Sequence, residues 1–210
     1  LSTYTMQGLT SGEWDKTNFA VIDLSADGQN GIRLDNVNVQ HQPGLSVSGV
    51  TCTVPTMPAN FNAVRNSAFD QGESQWNTFD MANHSVSAGV MNFWDDDTSN
   101  SVWQDTFYGL STGVPVNVTV DLGNSSGAAK DIKLVVRKTD WSDALLCDFN
   151  LPAGSGLSTY TLQGLTSSDW DTLRLEVWDL TGNNQSGIQM DNVNVQYQPG
   201  LSISGLVCSN

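Results

Sequence analysis

Hydrophobic and polar residues alternate along most of this chain with the period of two that is typical of a half-buried β-strand. In the segment Val116–Leu122, valine and leucine take every second position and polar residues take the others. The segments Ile132–Val136 and Leu173–Val177 largely repeat this pattern, and turn-forming stretches such as DLGNSSG and TGNNQSG follow the strands. No segment keeps a helical apolar period. Short strands spaced about ten residues apart, each with one apolar face, predict an all-β jelly-roll β-sandwich.

A long internal repeat organises the chain. Residues 1–52 return as residues 157–208 without insertion or deletion, and roughly three residues in five are identical. Solenoid repeats run about 20 to 50 residues, so a period of 156 residues is that of a whole domain. We therefore predict one complete domain, preceded by the C-terminal third of an identical-type repeat. Because that third has no complement, we expect the natural polypeptide to extend upstream of Leu1.

The repeat also sets the predicted domain boundaries. Residues 1–52 are the truncated repeat, 53–58 a linker, 59–198 the complete jelly roll, and 199–210 a linker strand to the next repeat. Prolines make such a linker stiff and extended, and the VSGV and ISGL stretches are apolar enough to form an extra strand. We expect this strand to pack on the next domain of an array.

Composition restricts the class of protein. There are 22 Asp and Glu residues against 8 Lys and Arg residues, giving a formal charge of -14. Such a surface repels phosphate backbones and anionic lipids, so nucleic acid partners and membrane insertion are disfavoured. No apolar run approaches the ~18 residues of a membrane span. Abundant Gly, Ser, Thr and Asn are typical of an extracellular β protein, either secreted or at the cell surface.

Five motifs, in order, resemble the carbohydrate-binding-module jelly rolls related to families 4, 9 and 22, a galactose-binding-like fold. NSAFDQGESQW from Asn66 is similar to their opening signature, and SVWQDTFYGL from Ser101 to their Trp-x-x-Gln strand. VPVNVTVDLG, LSTYTLQG and GIQMDNVNVQ resemble the later strands. The resemblance implies this fold, which serves glycan binding, adhesion and spacer roles alike.

The resemblance also implies a structural calcium ion between the opening and closing strands. By position, Asp70 and Asp191 are its candidate ligands, with Asp35 the counterpart of Asp191 in the truncated copy. Carboxylate and carbonyl oxygens suit Ca²⁺. The alternative is that these aspartates only cap turns. The triplet Asp95–Asp97 is either a second calcium loop or, more commonly, a solvated turn.

Aromatic side chains exposed on a sheet face or loop rim can stack on the apolar side of a pyranose ring. The candidates here are Trp178, Trp141 and Trp94, with Arg174 as a polar partner. Trp178 stands on the polar side of its predicted strand, but its counterpart in the first copy is Ile22. Either only some repeats bind a glycan, or a neighbouring domain covers that face. Trp76 and Trp103 belong to family motifs and are expected in or near the core.

Three cysteines point to oxidising surroundings, because a secreted acidic protein normally forms disulfides. Cys52 and Cys208 occupy the same repeat position, and Cys147 lies between them. Two pairings fit: Cys147 with Cys208 inside one domain, or Cys147 with Cys52 between adjacent repeats. Buried reduced cysteines are the remaining alternative.

Catalytic motifs are absent from the sequence, and we expect a protein that is not an enzyme. There is no GxSxG, no P-loop and no recognisable His constellation. Four sequons, at Asn83, Asn117, Asn124 and Asn184, are candidate glycosylation sites on exposed strands or turns.

Two functions remain from different classes. The preferred one is a non-catalytic structural repeat of a secreted surface protein or extracellular filament, whose partners are neighbouring copies of the same repeat. The alternative is a tandem carbohydrate-binding module that binds polysaccharide, for adhesion or as an appendage of a polysaccharide-degrading enzyme. The structural repeat explains the cysteine spacing and the exchange of Trp178 for Ile22, whereas the binding module explains the family motifs.

Overall fold

A computed structural model describes residues 5–7, 37, 39, 51–53, 57–79, 83–94, 100–106, 108–182 and 185–210. The chain divides into two compact units, Leu1–Pro55 and Thr56–Asn210. In the first unit, strand β1 (Thr5–Gln7) pairs with β2 (Thr51–Thr53) in antiparallel fashion, with Met6 opposite Cys52. Among the described residues there is no helix long and apolar enough to cross a membrane.

The second unit is an all-β sandwich, as the alternating pattern predicts. Its described strands are β3 (Asn77–Phe79), β4 (Asn83–Ser87), β5 (Val90–Trp94), β6 (Asn100–Asp105), β7 (Pro115–Asn124), β8 (Lys130–Lys138), β9 (Ala144–Leu151), β10 (Ser155–Leu165), β11 (Leu173–Asp179), β12 (Ile188–Tyr197) and β13 (Val207–Ser209). They form a six-stranded sheet in the order β13-β10-β7-β12-β5-β4 and a five-stranded sheet in the order β3-β6-β11-β8-β9. All strand pairs within these two sheets are antiparallel.

The hydrophobic core lies between the two sheets and is built by alternation. In β7, Val116, Val118, Val120 and Leu122 face inward and are fully buried, while the residues between them face outward. The inward residues of β8, β11 and β12 join the same core cluster. Each fully buried aliphatic side chain contributes roughly 1.5–3 kcal/mol. The outward-facing residues of the two sheets therefore form the two outer surfaces of the sandwich.

The segment Asn66–Trp76 folds into a compact loop around one side chain. The Asn66 amide nitrogen donates to the carbonyl oxygens of Gly72 and Ser74 at 2.8 and 2.9 Å, and its Oδ1 accepts from the Gln71 amide at 3.0 Å. Trp76 is buried, as expected, and stacks on Phe69 with ring centroids 5.1 Å apart. The opening motif thus closes one end of the core.

The C-terminal residues belong to the same unit, which corrects two predicted boundaries. We expected 59–198 to be the domain and 199–210 to be a strand passed on to a neighbour. The compact unit instead spans Thr56–Asn210, because β13 pairs with β10 and places Cys208 opposite Leu162. A disulfide joins Cys208 to Cys147 in β9, so the six-stranded sheet is tied covalently to the five-stranded sheet.

Candidate functional site

The outward face of the five-stranded sheet, called here the aromatic face, concentrates aromatic and charged side chains. Strand register sets them in three rows: Phe79, Ser101, Trp178, Lys133 and Asp148; Asn77, Trp103, Glu176, Val135 and Leu146; and Asp105, Arg174, Arg137 and Ala144. Val135 is fully buried although it lies on this outward face, so larger neighbouring side chains must cover it. Alternation along β6 and β11 therefore places Trp103 and Trp178 on this face, and the turn after β8 brings Trp141 next to Trp178.

Two ion pairs lie next to these rings. Arg174 binds Asp105 through two hydrogen bonds, Nε to Oδ1 at 2.7 Å and the second guanidinium nitrogen to Oδ2 at 2.9 Å. Arg137 donates from Nε to Glu176 Oε1 at 3.1 Å, and both partners are almost fully buried. Trp178 donates from its indole Nε1 to Glu176 Oε2 at 2.8 Å. Each arginine is therefore neutralised locally by a carboxylate.

Arginine also supports the rings directly. The Arg174 guanidinium lies over the Trp103 ring, 3.8 Å from its centroid. The Arg137 guanidinium lies over Trp141 at 3.9 Å. Trp141 meets Trp178 edge to face, with centroids 6.2 Å apart. Cation–π and edge-to-face contacts each fix ring orientation, so these tryptophans are held in place before any ligand arrives.

Trp141 projects from the turn between β8 and β9. It remains about half exposed and has a φ of 63°, a left-handed conformation that bulky residues rarely adopt. Arg137 holds this turn by donating to the Lys138 and Thr139 carbonyl oxygens at 2.9 and 2.7 Å. A strained, exposed tryptophan held by its neighbours is a feature of binding sites.

Asp143 anchors the same turn to the loop before β11. Its Oδ2 accepts from the Trp170 indole at 2.7 Å, from the Ser167 and Ser168 amides at 2.8 and 2.9 Å, and from the Ser168 hydroxyl at 3.0 Å. Burial raises the pKa of Asp143, but the hydrogen bonds from Trp170, Ser167 and Ser168 outweigh burial, so its pKa is lowered. The ionised carboxylate therefore fixes the base of the Trp141 turn.

The outward face of the six-stranded sheet, called here the polar face, has a different chemistry. Its rows align Ser209, Thr161, Thr119 and Asn194, and next to them Val207, Gln163, Asn117 and Gln196. Trp94 lies here at the end of β5, opposite Asn83, and not with the other tryptophans. The structure thus places Trp178, Trp141 and Arg174 together, and separates Trp94 from them.

The predicted calcium ligands lie on the side of the polar face. Burial raises the pKa of Asp191, and the nearby charges of Asp121 and Asp70 raise it further against a hydrogen bond from the Asn192 amide. Both Asp121 oxygens are already hydrogen-bonded, to Thr159 and Asn192. In the part of the chain that the structure describes, no group of three or more His, Cys, Asp or Glu side chains could hold a metal ion. Asp35 and the triplet Asp95–Asp97 lie outside the described residues.

The sequons differ in accessibility. Asn124 is fully buried, and its amide nitrogen donates to the Ala128 and Leu151 carbonyl oxygens at 2.8 and 3.1 Å. The expectation that Asn124 is reachable for glycosylation is therefore wrong, because the amide that would carry the glycan holds the turn after β7. Asn83 and Asn117 are half-buried on the polar face, and Asn184 lies outside the described residues.

Three residues of the aromatic face were missed in the sequence. Trp103, expected near the core, faces outward, whereas the neighbouring Gln104 is buried and exchanges hydrogen bonds with the Arg65 backbone. The alternation of Val102 with Trp103 already signals this orientation. Arg137 and Glu176 carry no comparable signal, because their contact joins residues 39 positions apart.

Comparisons with known proteins support this fold. No family model and no curated protein sequence matches the chain. A solved structure of a family 4 carbohydrate-binding module aligns with a TM-score of 0.50 at 15% sequence identity, covering 64% of this chain and 99% of that chain. An arabinose-bound GH51 α-L-arabinofuranosidase aligns with a TM-score of 0.52 at 12% identity, covering 69% of this chain and 30% of that chain. At such identities the likeness concerns the fold alone: the second unit is a jelly-roll sandwich like those of carbohydrate-binding modules.

Proposed function

We propose that the second unit, Thr56–Asn210, is a non-catalytic carbohydrate-binding module whose aromatic face binds a neutral polysaccharide. The observation that carries this proposal is the grouping of Trp103, Trp141 and Trp178 on one outward sheet face, in contact with hydrogen-bonded charged side chains. Flat aromatic rings offer apolar surface to the C–H side of a sugar, and each stacked ring contributes ~1 kcal/mol.

The charges on this face favour a neutral ligand. Arg174 and Arg137 are each bound to a carboxylate, so neither offers an unpaired positive charge to an acidic sugar. The overall formal charge of -14 also opposes polyanions. Hydroxyl groups of a neutral sugar can instead share hydrogen bonds with the outer atoms of these ion pairs, as polar groups do when they orient a ligand in an otherwise apolar site.

This proposal favours the alternative function over the structural filament repeat. A spacer domain needs no preorganised aromatic surface, and nothing in the described residues supports a filament contact. The similarity to a family 4 carbohydrate-binding module agrees with glycan binding at the level of the fold. The Cys147–Cys208 disulfide agrees with an oxidising, extracellular location. Polysaccharide is therefore the proposed partner.

Affinity electrophoresis tests the proposal directly. The full chain is run through gels that contain xylan, mixed-linkage β-glucan, galactan or galactomannan, and the dissociation constant is measured by calorimetry on the best ligand. We expect Trp141→Ala and Trp178→Ala each to weaken binding about 10-fold or more, equivalent to ~1.4 kcal/mol.

Trp94→Ala is the matched control, because Trp94 lies on the polar face of the opposite sheet. This variant also replaces a tryptophan by alanine, but it should leave the affinity for the glycan unchanged. Binding that is lost equally in the Trp94 variant, or that persists in both aromatic-face variants, would rule out the aromatic face as the binding site. Retardation by none of the neutral glycans would count against the function itself.

A further inference from the structure

Some apolar side chains of the first unit are exposed, whereas their repeat counterparts in the second unit are buried in its core. Met6 is 72% exposed, whereas its repeat counterpart Leu162 is 0% exposed. Val37 and Val39 are 52% and 58% exposed, whereas their counterparts Val193 and Val195 are 1% and 0% exposed. Isolated exposed apolar residues are ordinary. Here, however, every described side chain of the first unit is apolar and exposed, and its counterpart in the second unit is buried.

The one described strand pair of the first unit nevertheless repeats a strand pair of the second. Strand β1 pairs with β2 so that Thr5, Met6 and Gln7 lie opposite Thr53, Cys52 and Thr51. Strand β10 pairs with β13 in the equivalent register, with Thr161, Leu162 and Gln163 opposite Ser209, Cys208 and Val207. The first unit therefore has the edge strand pairing of a jelly roll, although its core residues are uncovered.

The second unit shows what covers these residues. Strand β7 lies between β10 and β12 and pairs with both, and the five-stranded sheet packs on the inner side. By the sequence repeat, residues 1–55 contain counterparts of β11, β12, β13 and most of β10, but none of β7, which belongs to the non-repeated part of the sequence. The same holds for β9, which carries the disulfide partner of Cys208.

We propose that the first unit is the closing portion of a second jelly roll, and that it binds a polypeptide segment with the strand pattern of residues 56–156. That segment's counterpart of β7 inserts between strand β1, which carries Met6, and the segment that carries Val37. Its counterpart of Cys147 forms a disulfide with Cys52. The two thiols lose two protons and two electrons, which a disulfide oxidant such as oxidised glutathione accepts as it becomes two thiols.

The test adds the missing segment to the full chain. A second copy of residues 56–156 is joined directly before Leu1, so that Gly156 precedes Leu1 as it precedes Leu157 in the native sequence. The added copy carries Asp148→Glu as a mass label, and the protein is refolded with oxidised glutathione. We expect mass spectrometry to find Cys52 bonded to the labelled Cys147 copy. Amide hydrogen exchange at Thr5–Gln7 and Val37–Val39 should slow about 100-fold relative to the unmodified chain.

A matched variant isolates the role of the inserted strand. Val118→Asp and Val120→Asp in the added copy alone place charges where the proposed core should form, and should return exchange in the first unit to its original rate. Cys52→Ser should remove the new disulfide while most of the protection stays. Cys52 left unbonded, together with unchanged exchange in the first unit, would overturn the proposal.

The unmodified chain gives a second readout that does not depend on refolding the longer one. Residues 1–55 should exchange rapidly and should show no cooperative melting transition of their own. Slow exchange or a separate transition in that unit would show that it is complete by itself, and would refute the need for a complementary segment.

Discussion

The aromatic face and the polar face belong to one sandwich, but they expose different side chains. They also differ in how many of those side chains are kept in the first copy of the repeat. Arg174, Glu176 and Trp178 of the aromatic face become Asn18, Ala20 and Ile22 in the first copy. Four residues of the polar face are identical in the first copy: Thr161, Gln163, Asn194 and Gln196 are matched by Thr5, Gln7, Asn38 and Gln40, although Val207 and Ser209 at the sheet edge become Thr51 and Thr53. Much of the repeated part of the polar face is thus common to both copies, whereas Arg174, Glu176 and Trp178 are particular to one.

The two faces are therefore under different physical constraints. On the polar face, hydrogen bonds between neighbouring side chains, such as Gln163 to Asn117 at 3.0 Å, stabilise strand pairs that every copy needs. On the aromatic face, Glu176 connects Arg137 and Trp178 in one network, so its members can change only together. Glu176 and Trp178 are both replaced in the first copy, by Ala20 and Ile22, which fits this coupling.

The largest effect is expected from breaking that network. Glu176→Gln leaves Arg137 buried without its carboxylate, and an uncompensated buried charge costs ~3–5 kcal/mol. Urea unfolding should show this loss in the free energy of unfolding. Asp148→Asn, which removes an exposed partner 3.6 Å from Lys133 on the same face, should change stability by less than ~1 kcal/mol. Equal small losses in both variants would mean that the Lys138 and Thr139 carbonyl groups suffice to stabilise Arg137.

A smaller effect is expected where the Trp141 turn is anchored. Asp143→Ala removes a carboxylate that accepts four hydrogen bonds and leaves the Trp170 indole without its partner, at a cost of ~3 kcal/mol. Because Trp141 then loses its fixed position, affinity for the glycan should fall as well. Asp140→Ala is the control and should affect neither property strongly, because it removes only exposed contacts of the same turn: the hydrogen bonds donated by the Ser142 amide and hydroxyl, and the ion pair with Lys138.

The contribution of Asp143 to stability depends on pH, and the direction follows from its pKa. Its pKa in the fold is lowered below the ordinary 3.8, so the ionised form stabilises the native state. That stability is present above the ordinary pKa and is lost as the pH falls through the lowered one. Urea unfolding of the native protein and of Asp143→Ala between neutral and acid pH should therefore converge at the acid end. Parallel curves would assign the loss to packing alone.

Local alternation was enough to predict much of this architecture. The pattern of Val116–Leu122 gave β7 and its buried side correctly, and the same rule applied to Val102 would have placed Trp103 outside. Contacts between residues far apart in the sequence could not be predicted in this way. Arg137 meets Glu176 only because β8 lies next to β11, and Asn124 is buried only because its turn closes on Leu151. Neither neighbour can be deduced from spacing along the chain.

The smallest effect is expected on the polar face. Burial, and then the charges of Asp121 and Asp70, raise the pKa of Asp191 above 3.8, so ionised Asp191 destabilises the fold. A raised pKa contributes stability below the ordinary value that is lost as the pH rises through the value in the fold. Asp191→Asn should therefore increase stability at neutral pH by less than ~1 kcal/mol in the presence of a chelator, as measured by urea unfolding.

Bound calcium would reverse the expected effect of Asp191→Asn on stability. The same variant is therefore a test of the calcium prediction. If an ion binds Asp191 and Asp70, adding Ca²⁺ should raise the melting temperature of the native protein, since a ligand at 100 times its Kd adds ~2.7 kcal/mol. Asp191→Asn should then abolish that rise and be the less stable protein in calcium. A native melting temperature that is the same in Ca²⁺ and in chelator would refute the calcium prediction. Asp191 would then be a half-buried carboxylate that accepts a hydrogen bond from the Asn192 amide at 2.7 Å.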